Sequence, residues 1–283
     1  MKQYGMIIPD DVNPLYPETA ENIARELELR GDRLLIHNAQ GSAEKEAMYC
    51  DALIRADVAG IYAMPVQKES QALYAGLRIP AVLVGCKSPH ASVSCVAMDD
   101  AKAGILLAQS LVKNGHKRLA FLSDPASRHA DRLYGFLLGA EQSGTPRYHV
   151  QVVRVAGNSL RDSYSAMKSL LSEKEPPTAV AAQDDFTAFG AWQAIVERQL
   201  RPGKDIALIG FGDVSLASLS KYRLTSVGCG RFALETQAVL LMENMLQGMG
   251  PETVLLAPRI FCRRTYMEQA GETPNSRETR KLC

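Results

Sequence analysis

The strongest constraint on this chain is the regular alternation of short apolar runs with amphipathic stretches. Residues 4–8 form an apolar run that stops at Pro9-Asp10-Asp11, which reads as a buried strand followed by a loop. In residues 17–30, Ala20, Ile23, Ala24 and Leu27 fall at helical spacing, and Gly31 closes the helix. The pattern continues with strands at 33–37, 58–64 and 80–85, and with helical stretches at 43–55, after Pro65, and at 103–113. It then starts again. Strands are expected at 118–122, 149–155, 178–182, 206–210, 224–227 and 259–263, and helices at 131–141, 160–171, 186–199 and 233–247. Strands that alternate with helices predict parallel sheets covered on both faces. With 283 residues there are too many units for one compact sheet. The expected fold is therefore α/β, with two doubly wound parallel-sheet lobes. The polar stretch 268–283 is expected to be a disordered tail.

Composition narrows the function. Hydrophobic residues make up 46% and charged residues 22%, which excludes global disorder, collagen and a coiled-coil rod. Lys+Arg of 32 against Asp+Glu of 31 excludes a chain built around a large nucleic-acid patch. No apolar run approaches the ~18 residues that cross a bilayer. The start, MKQYGMIIPDD, lacks the apolar stretch of a secretory signal. The six cysteines (Cys50, Cys86, Cys95, Cys229, Cys262, Cys283) form no CxxC pair, so reduced thiols in a cytoplasmic protein are expected, and no zinc. The five histidines show no metal-like spacing. Gly210-Phe211-Gly212-Asp213 follows a strand, but Ser215 stands at the third glycine position and the segment lies late in the chain, unlike a dinucleotide fingerprint. No Walker A loop, GxSxG or HExxH occurs. No cofactor and no catalytic residue are expected.

Open doubly wound sheets take ligands at the carboxyl ends of their strands. That rule selects Asp10, Asn13, Leu15 and Tyr16 after the first strand, and Asp124, Ser127 and Arg128 after the strand ending at Leu122. It also selects Gln183, Asp184 and Asp185 after the strand ending at Ala182, and Asp213 after Gly210. Carboxylates and amides suit polyol hydroxyls. Arg132 offers a planar fork for a carboxylate, a phosphate or a hydroxyl pair, and Tyr16 a ring for stacking. Asp184 and Asp185 equally fit plain helix N-caps. Trp192 reads as core, and Met242, Met245 and Leu246 as packing or dimer surface.

Taken in order, these segments resemble the effector-binding core of LacI/GalR-type bacterial transcription regulators. Ile7-Ile8-Pro9-Asp10 leading to Asn13-Pro14-Leu15-Tyr16 is similar to the family's opening strand and its NPF-aromatic element. Val58-Ala59-Gly60-Ile61 is similar to VDGI. Asp99-Asp100 with Gly104, then Gly115-His116-Lys117-Arg118, is similar to the family's DN, G and GH elements. Arg132-Leu133-Tyr134-Gly135-Phe136 resembles R..GF. Gln183-Asp184, Gly190-Ala191, Gly210-Phe211-Gly212-Asp213 and Leu224-Thr225-Ser226-Val227 complete the series. The resemblance covers about residues 3 to 265.

The resemblance implies the type I periplasmic-binding-protein fold, with three passages between lobes near Gly115, Gly228 and Ala257. The lobes would be 1–115 with 229–256, and 116–228 with 257–267. It implies a small-molecule effector in the cleft, held by Asp10, Leu15, Tyr16, Arg132, Gln183, Asp184 and Asp213, and biasing a hinge. It implies a homodimer that reaches operator DNA only through an N-terminal helix-turn-helix, which does not precede Lys2 here. No membrane partner is implied. Gln183 stands where the family has Asn, and Gly212 where it has Asp, so the effector stays open. Two other readings remain: a solute-binding protein of a sugar transporter, and an enzyme on the same scaffold, against which the missing nucleophile–base or metal constellation argues.

Overall fold

A computed structural model describes residues 1–123, 130–146, 149–155 and 159–266. The chain divides into two compact units, residues 1–98 with 231–256, and 99–230 with the segment from 257 onward. It passes between them three times, and each unit holds one six-stranded sheet.

In the first unit the order is β11-β5-β4-β3-β1-β2. The strands are β1 (Gln3–Ile8), β2 (Arg33–Asn38), β3 (Ile61–Ala63), β4 (Ala81–Val84), β5 (Ser94–Met98) and β11 (Thr253–Leu256), and every pairing is parallel. Period-2 alternation sends side chains to both faces, and both are buried. Tyr4, Met6 and Ile8 pack with Ala20, Ile23 and Leu27 of α1 (Leu15–Glu28) and with Ala238, Val239 and Met242 of α8 (Ala233–Leu246). Ile7, Ile61 and Leu83 face the other way, toward Cys50 and Leu53 of α2 (Ala43–Arg55) and Tyr74 of α3 (Gln71–Ala75). Met242 is fully buried, with Met245 and Leu246 packed beside it, so all three serve packing.

The second unit repeats the winding with order β12-β10-β9-β8-β6-β7. Its strands are β6 (Leu119–Ser123), β7 (Val150–Arg154), β8 (Ala179–Ala182), β9 (Ala207–Phe211), β10 (Thr225–Gly228) and β12 (Arg259–Phe261), of which only β12 runs antiparallel to its neighbour. Its helices are α4 (Asp100–Lys113), α5 (Ala130–Gln142), α6 (Leu160–Leu170) and α7 (Asp185–Glu197).

Two strands, β5 and β11, have no counterpart in the sequence reading. Both are short, and they stabilise each other across more than 150 residues of chain, from Cys95↔Thr253 to Met98↔Leu256. The first passage between units also differs from expectation. It lies between Met98 and Asp99, ahead of α4, where the sequence suggested Gly115.

Glycine explains where α4 belongs. A Cβ on Gly104 of α4 would sit 2.2 Å from the Arg132 carbonyl oxygen and 2.5 Å from the Phe136 nitrogen of α5. A Cβ on Gly135 would sit 2.1 Å from the Ala101 oxygen, and one on Gly139 2.7 Å from the Ile105 Cα. Three glycines thus let two helix backbones touch, and α4 docks on α5. Backbone cannot retreat as a side-chain end can. Gly135→Ala is therefore expected to cost at least the ~1–3 kcal/mol typical of overpacking in urea unfolding. Gly250→Ala, where a Cβ meets nothing within 4 Å, should stay near wild type.

Candidate functional site

The strand order reverses beside β1 and β3 in the first unit, and beside β6 and β8 in the second. Loops at the carboxyl ends of these strands are the natural ligand positions of a doubly wound sheet.

In the first unit, the loop after β1 is built from its own polar groups. The Asp10 carboxylate accepts from the backbone N–H groups of Val12 and Asn13, both at 2.9 Å. Asn13 Oδ1 accepts from the Leu15 N–H at 3.1 Å, at the start of α1. Leu15 is half-buried, and Tyr16 lies within the α1 side of the core, 7% exposed. Tyr16, whose ring the sequence offered for stacking, belongs to the same apolar cluster as Ala20 and Ile23. The loop after β3 is held from below. Glu46, fully buried on α2, accepts from the Tyr74 hydroxyl at 2.8 Å and from the Val66 N–H at 3.2 Å. Burial beside that carboxylate pushes the Tyr74 hydroxyl pKa far above its ordinary value, so it remains a donor.

In the second unit, Arg132 is the centre. It is 6% exposed. Its Nε and Nη2 donate to Asp100 Oδ1 at 3.1 and 2.7 Å, and its Nη1 donates to the Gln183 carbonyl. The guanidinium lies 4.7 Å from the ring centroid of Phe211. The Asp100 partner comes from the first turn of α4, brought there by the glycine seam. The sequence singled out Arg132 but not the side chain that orients it. The Gln183 N–H donates to the Leu122 carbonyl at 2.9 Å, which keeps this residue in line with β6. Asp184 is the N-cap of α7, its carboxylate accepting from the Thr187 N–H at 2.7 Å. Asp213, with φ +54°, accepts a 2.6 Å ion-pair bond from Arg263 Nη2. Asp124, Ser127 and Arg128 lie outside the described residues.

Asp185, the neighbour of the cap, is almost fully buried. It accepts from the Ser226 hydroxyl at 2.6 Å and from the Val214 N–H at 2.9 Å. Burial pushes its pKa up from 3.8 to about 7, and the Asp213 and Asp184 charges add to the rise while the two hydrogen bonds oppose it.

Trp192 departs from its expected core position. It is only half-buried, edge-on to Tyr222 at 5.0 Å, with Lys221 over its face at 5.7 Å. Leu160, Tyr164, Phe189 and Tyr222 join it around a hollow of about 290 Å³. Helix α7 is apolar on nearly all sides, so one face covers the sheet while the other carries Trp192 outward. Among the described residues no group of three or more His, Cys, Asp or Glu could hold a metal ion, and no helix is long and apolar enough to cross a membrane.

The Asp185 shift sets a pH dependence. The unfolded carboxyl ionises near 3.8 and the folded one near 7, so between these values folding takes up a proton. The contribution is complete at the acid end and is lost as pH rises toward 7. Denaturant titrations between these limits should show that an Asp185→Asn variant lacks this fall in stability, whose slope is at most about 1.4 kcal/mol per pH unit.

Residues 1–250 match the family model described as periplasmic binding proteins and sugar binding domain of LacI family. Catabolite control protein A of Priestia megaterium is 28% identical over 256 residues, covering 88% of this chain and 76% of that protein. The HTH-type transcriptional repressor PurR of Yersinia pestis is 26% identical over 278 residues, covering 94% and 80%. Among solved structures, a LacI transcriptional regulator from Rhodococcus superposes with TM-score 0.83 at 23% identity, over 94% of this chain and 98% of that one. A LacI family regulator from Enterococcus faecium with bound ribose gives 0.82 at 21%, over 94% and 99%. The matched family model spans both units and every loop described above, and the chain belongs to this family of periplasmic binding proteins and LacI-type sugar-binding domains.

Proposed function

We propose that this chain is the effector-binding domain of a bacterial LacI-type transcription regulator. Its ligand is a sugar or a sugar-derived molecule, taken by the strand-end loops of both units, and ligand binding biases a hinge between them. The observation that carries this reading is Arg132. A nearly buried guanidinium, fixed by Asp100, the Gln183 carbonyl and the Phe211 ring, stands where the strand order reverses. A fixed fork of donors recognises paired hydroxyls at little entropic cost. Two structural relatives support the ligand class, one with bound ribose and one, from Alkaliphilus metalliredigens, in complex with D-xylulofuranose. The contacts are assigned to Asp10, Leu15, Tyr16, Arg132, Gln183, Asp184 and Asp213. Regulation rather than catalysis is supported by relatives named as transcriptional repressors. Operator DNA is engaged through a helix-turn-helix, and the working place is the cytoplasm.

The second copy of a homodimer is placed on the aromatic hollow of the second unit. Leu160, one of its lining residues, is exposed, and Arg161 and Gln193, which also line it, offer polar groups for pairing across a twofold axis. This separates the regulator from the competing solute-binding reading, for which a monomer is expected.

Two experiments test the reading. A thermal-shift panel of monosaccharides, sugar acids, sugar phosphates, polyols and purines should give one hit. At 100 times its Kd a ligand adds ~2.7 kcal/mol, or roughly 5–10 °C for a domain of this size. Arg132→Lys, which keeps the charge but loses the fork, should reduce that shift by more than half; an unchanged shift removes Arg132 from the site. In sedimentation equilibrium at micromolar concentration the wild type should be a dimer and Trp192→Glu a monomer. A monomeric wild type would favour the solute-binding reading.

A further inference from the structure

The segment Gly212-Asp213-Val214 leaves β9 in a conformation that needs holding. Gly212 has φ +121° and Asp213 φ +54°, so two consecutive residues lie in the left-handed half of backbone space, one of them with a side chain. Besides the Gly212 N–H bond to the Val227 carbonyl at 2.8 Å, three hydrogen bonds hold this turn. The Val214 N–H donates to Asp185 Oδ2 at 2.9 Å. The Asp213 N–H donates to Ser226 Oγ at 3.0 Å, and the Ser226 hydroxyl donates to Asp185 Oδ1 at 2.6 Å. The N–H groups of Asp213 and Val214 therefore converge, directly or through one hydroxyl, on a single carboxyl.

That carboxyl is not used for capping, because Asp184 already caps α7 through the Thr187 N–H. It is also pressed on β9 itself. A Cβ on Gly210 would lie 2.1 Å from Asp185 Oδ1, so a glycine at this place is what admits the carboxyl. The side chain of Asp213 is held separately, by Arg263.

We propose that Asp185 is a positioning residue of the effector site, which acts through Ser226 and Val214 to fix the turn that presents Asp213. The proposal rests on the reading above, in which the Asp213 turn touches ligand, but the geometry it asserts is independent of any ligand. It assigns Asp185 an effect on the turn and no direct contact with effector. It also gives the hydroxyl of Ser226, within the Leu-Thr-Ser-Val segment, a defined role as the bridge between β10 and the turn.

Hydrogen–deuterium exchange on the whole ligand-free chain tests this directly. The variants are Asp185→Asn, Ser226→Ala and Ser226→Thr. The Asn amide keeps the volume but replaces one acceptor oxygen with an NH2 group. Exchange in peptides covering 211–216 should quicken at least about ten-fold in Asp185→Asn and Ser226→Ala, as expected for loss of a buried hydrogen bond to a charged or polar partner. Ser226→Thr keeps the hydroxyl and should restore near wild-type exchange. Peptides over β1 should be unchanged throughout. Equal exchange at 211–216 in wild type and Ser226→Ala overturns the proposal. So does a uniform rise across the second unit in all three variants, which would mean a purely global effect on stability. Because no ligand is present, a panel without a sugar hit would refute the effector reading while leaving this result standing.

Discussion

The second unit's site depends on a contact with no side chain in it. Gly104, Gly135 and Gly139 allow the backbones of α4 and α5 to meet at distances that a single methyl group would forbid. That approach sets Asp100, on the first turn of α4, beside Arg132, on the first turn of α5. The buried guanidinium then has its counter-charge within 2.7 Å, without which so little exposure would be costly. Oriented in this way, it can reach the Gln183 carbonyl and lie over Phe211. Sequence spacing alone ties Gly135 to Arg132, three residues apart on one helix. The packing ties both to α4.

The winding of both sheets was legible because periodicity reports it. Runs such as Met6-Ile7-Ile8 and Val180-Ala181-Ala182 are buried on both faces and so read as uninterrupted apolar strands. The strands β5 and β11 were not legible. The edge strand β11 pairs only with β5, more than 150 residues earlier, and local pattern carries no trace of such pairing; β5 is a run of five residues between β4 and β11. The same limit governs the site. Arg132, Gln183, Asp184 and Asp213 were singled out from their places after strands or in motifs. Asp100, Arg263 and Ser226, which hold those residues in place, act over 32, 50 and 13 positions. Trp192 shows the converse limit: its helical spacing reads as core, but α7 is apolar on nearly all sides, and the ring stays half-buried on its outer face.

Neighbouring carboxylates in this unit are treated in different ways. Asp213 meets a guanidinium, Asp184 a helix N-terminus, and Asp185 a hydroxyl and one amide. The first two arrangements compensate a charge. The third suits a group that spends part of its time neutral, and its raised pKa follows from that burial. A carboxyl buried this way costs stability above its pKa, and such a cost is retained where the group specifies a conformation rather than adds stability. The left-handed turn at Asp213 is such a conformation, tolerated by an aspartate and preceded by Gly212.

The two units repeat one winding but equip it with different chemistry. After β1, Asp10 and Asn13 use their side chains on the loop's own amides, so this end of the first sheet offers a shaped and internally satisfied surface. After β6, β8 and β9, the second unit carries a guanidinium, a cap and a braced turn, each held by directional partners of its own. Directional groups discriminate among ligands far more sharply than shape alone, because a wrong partner leaves a buried group unpaired. In the proposed reading, discrimination among effectors falls to these groups, which the glycine seam sets in place by holding Arg132 against Asp100.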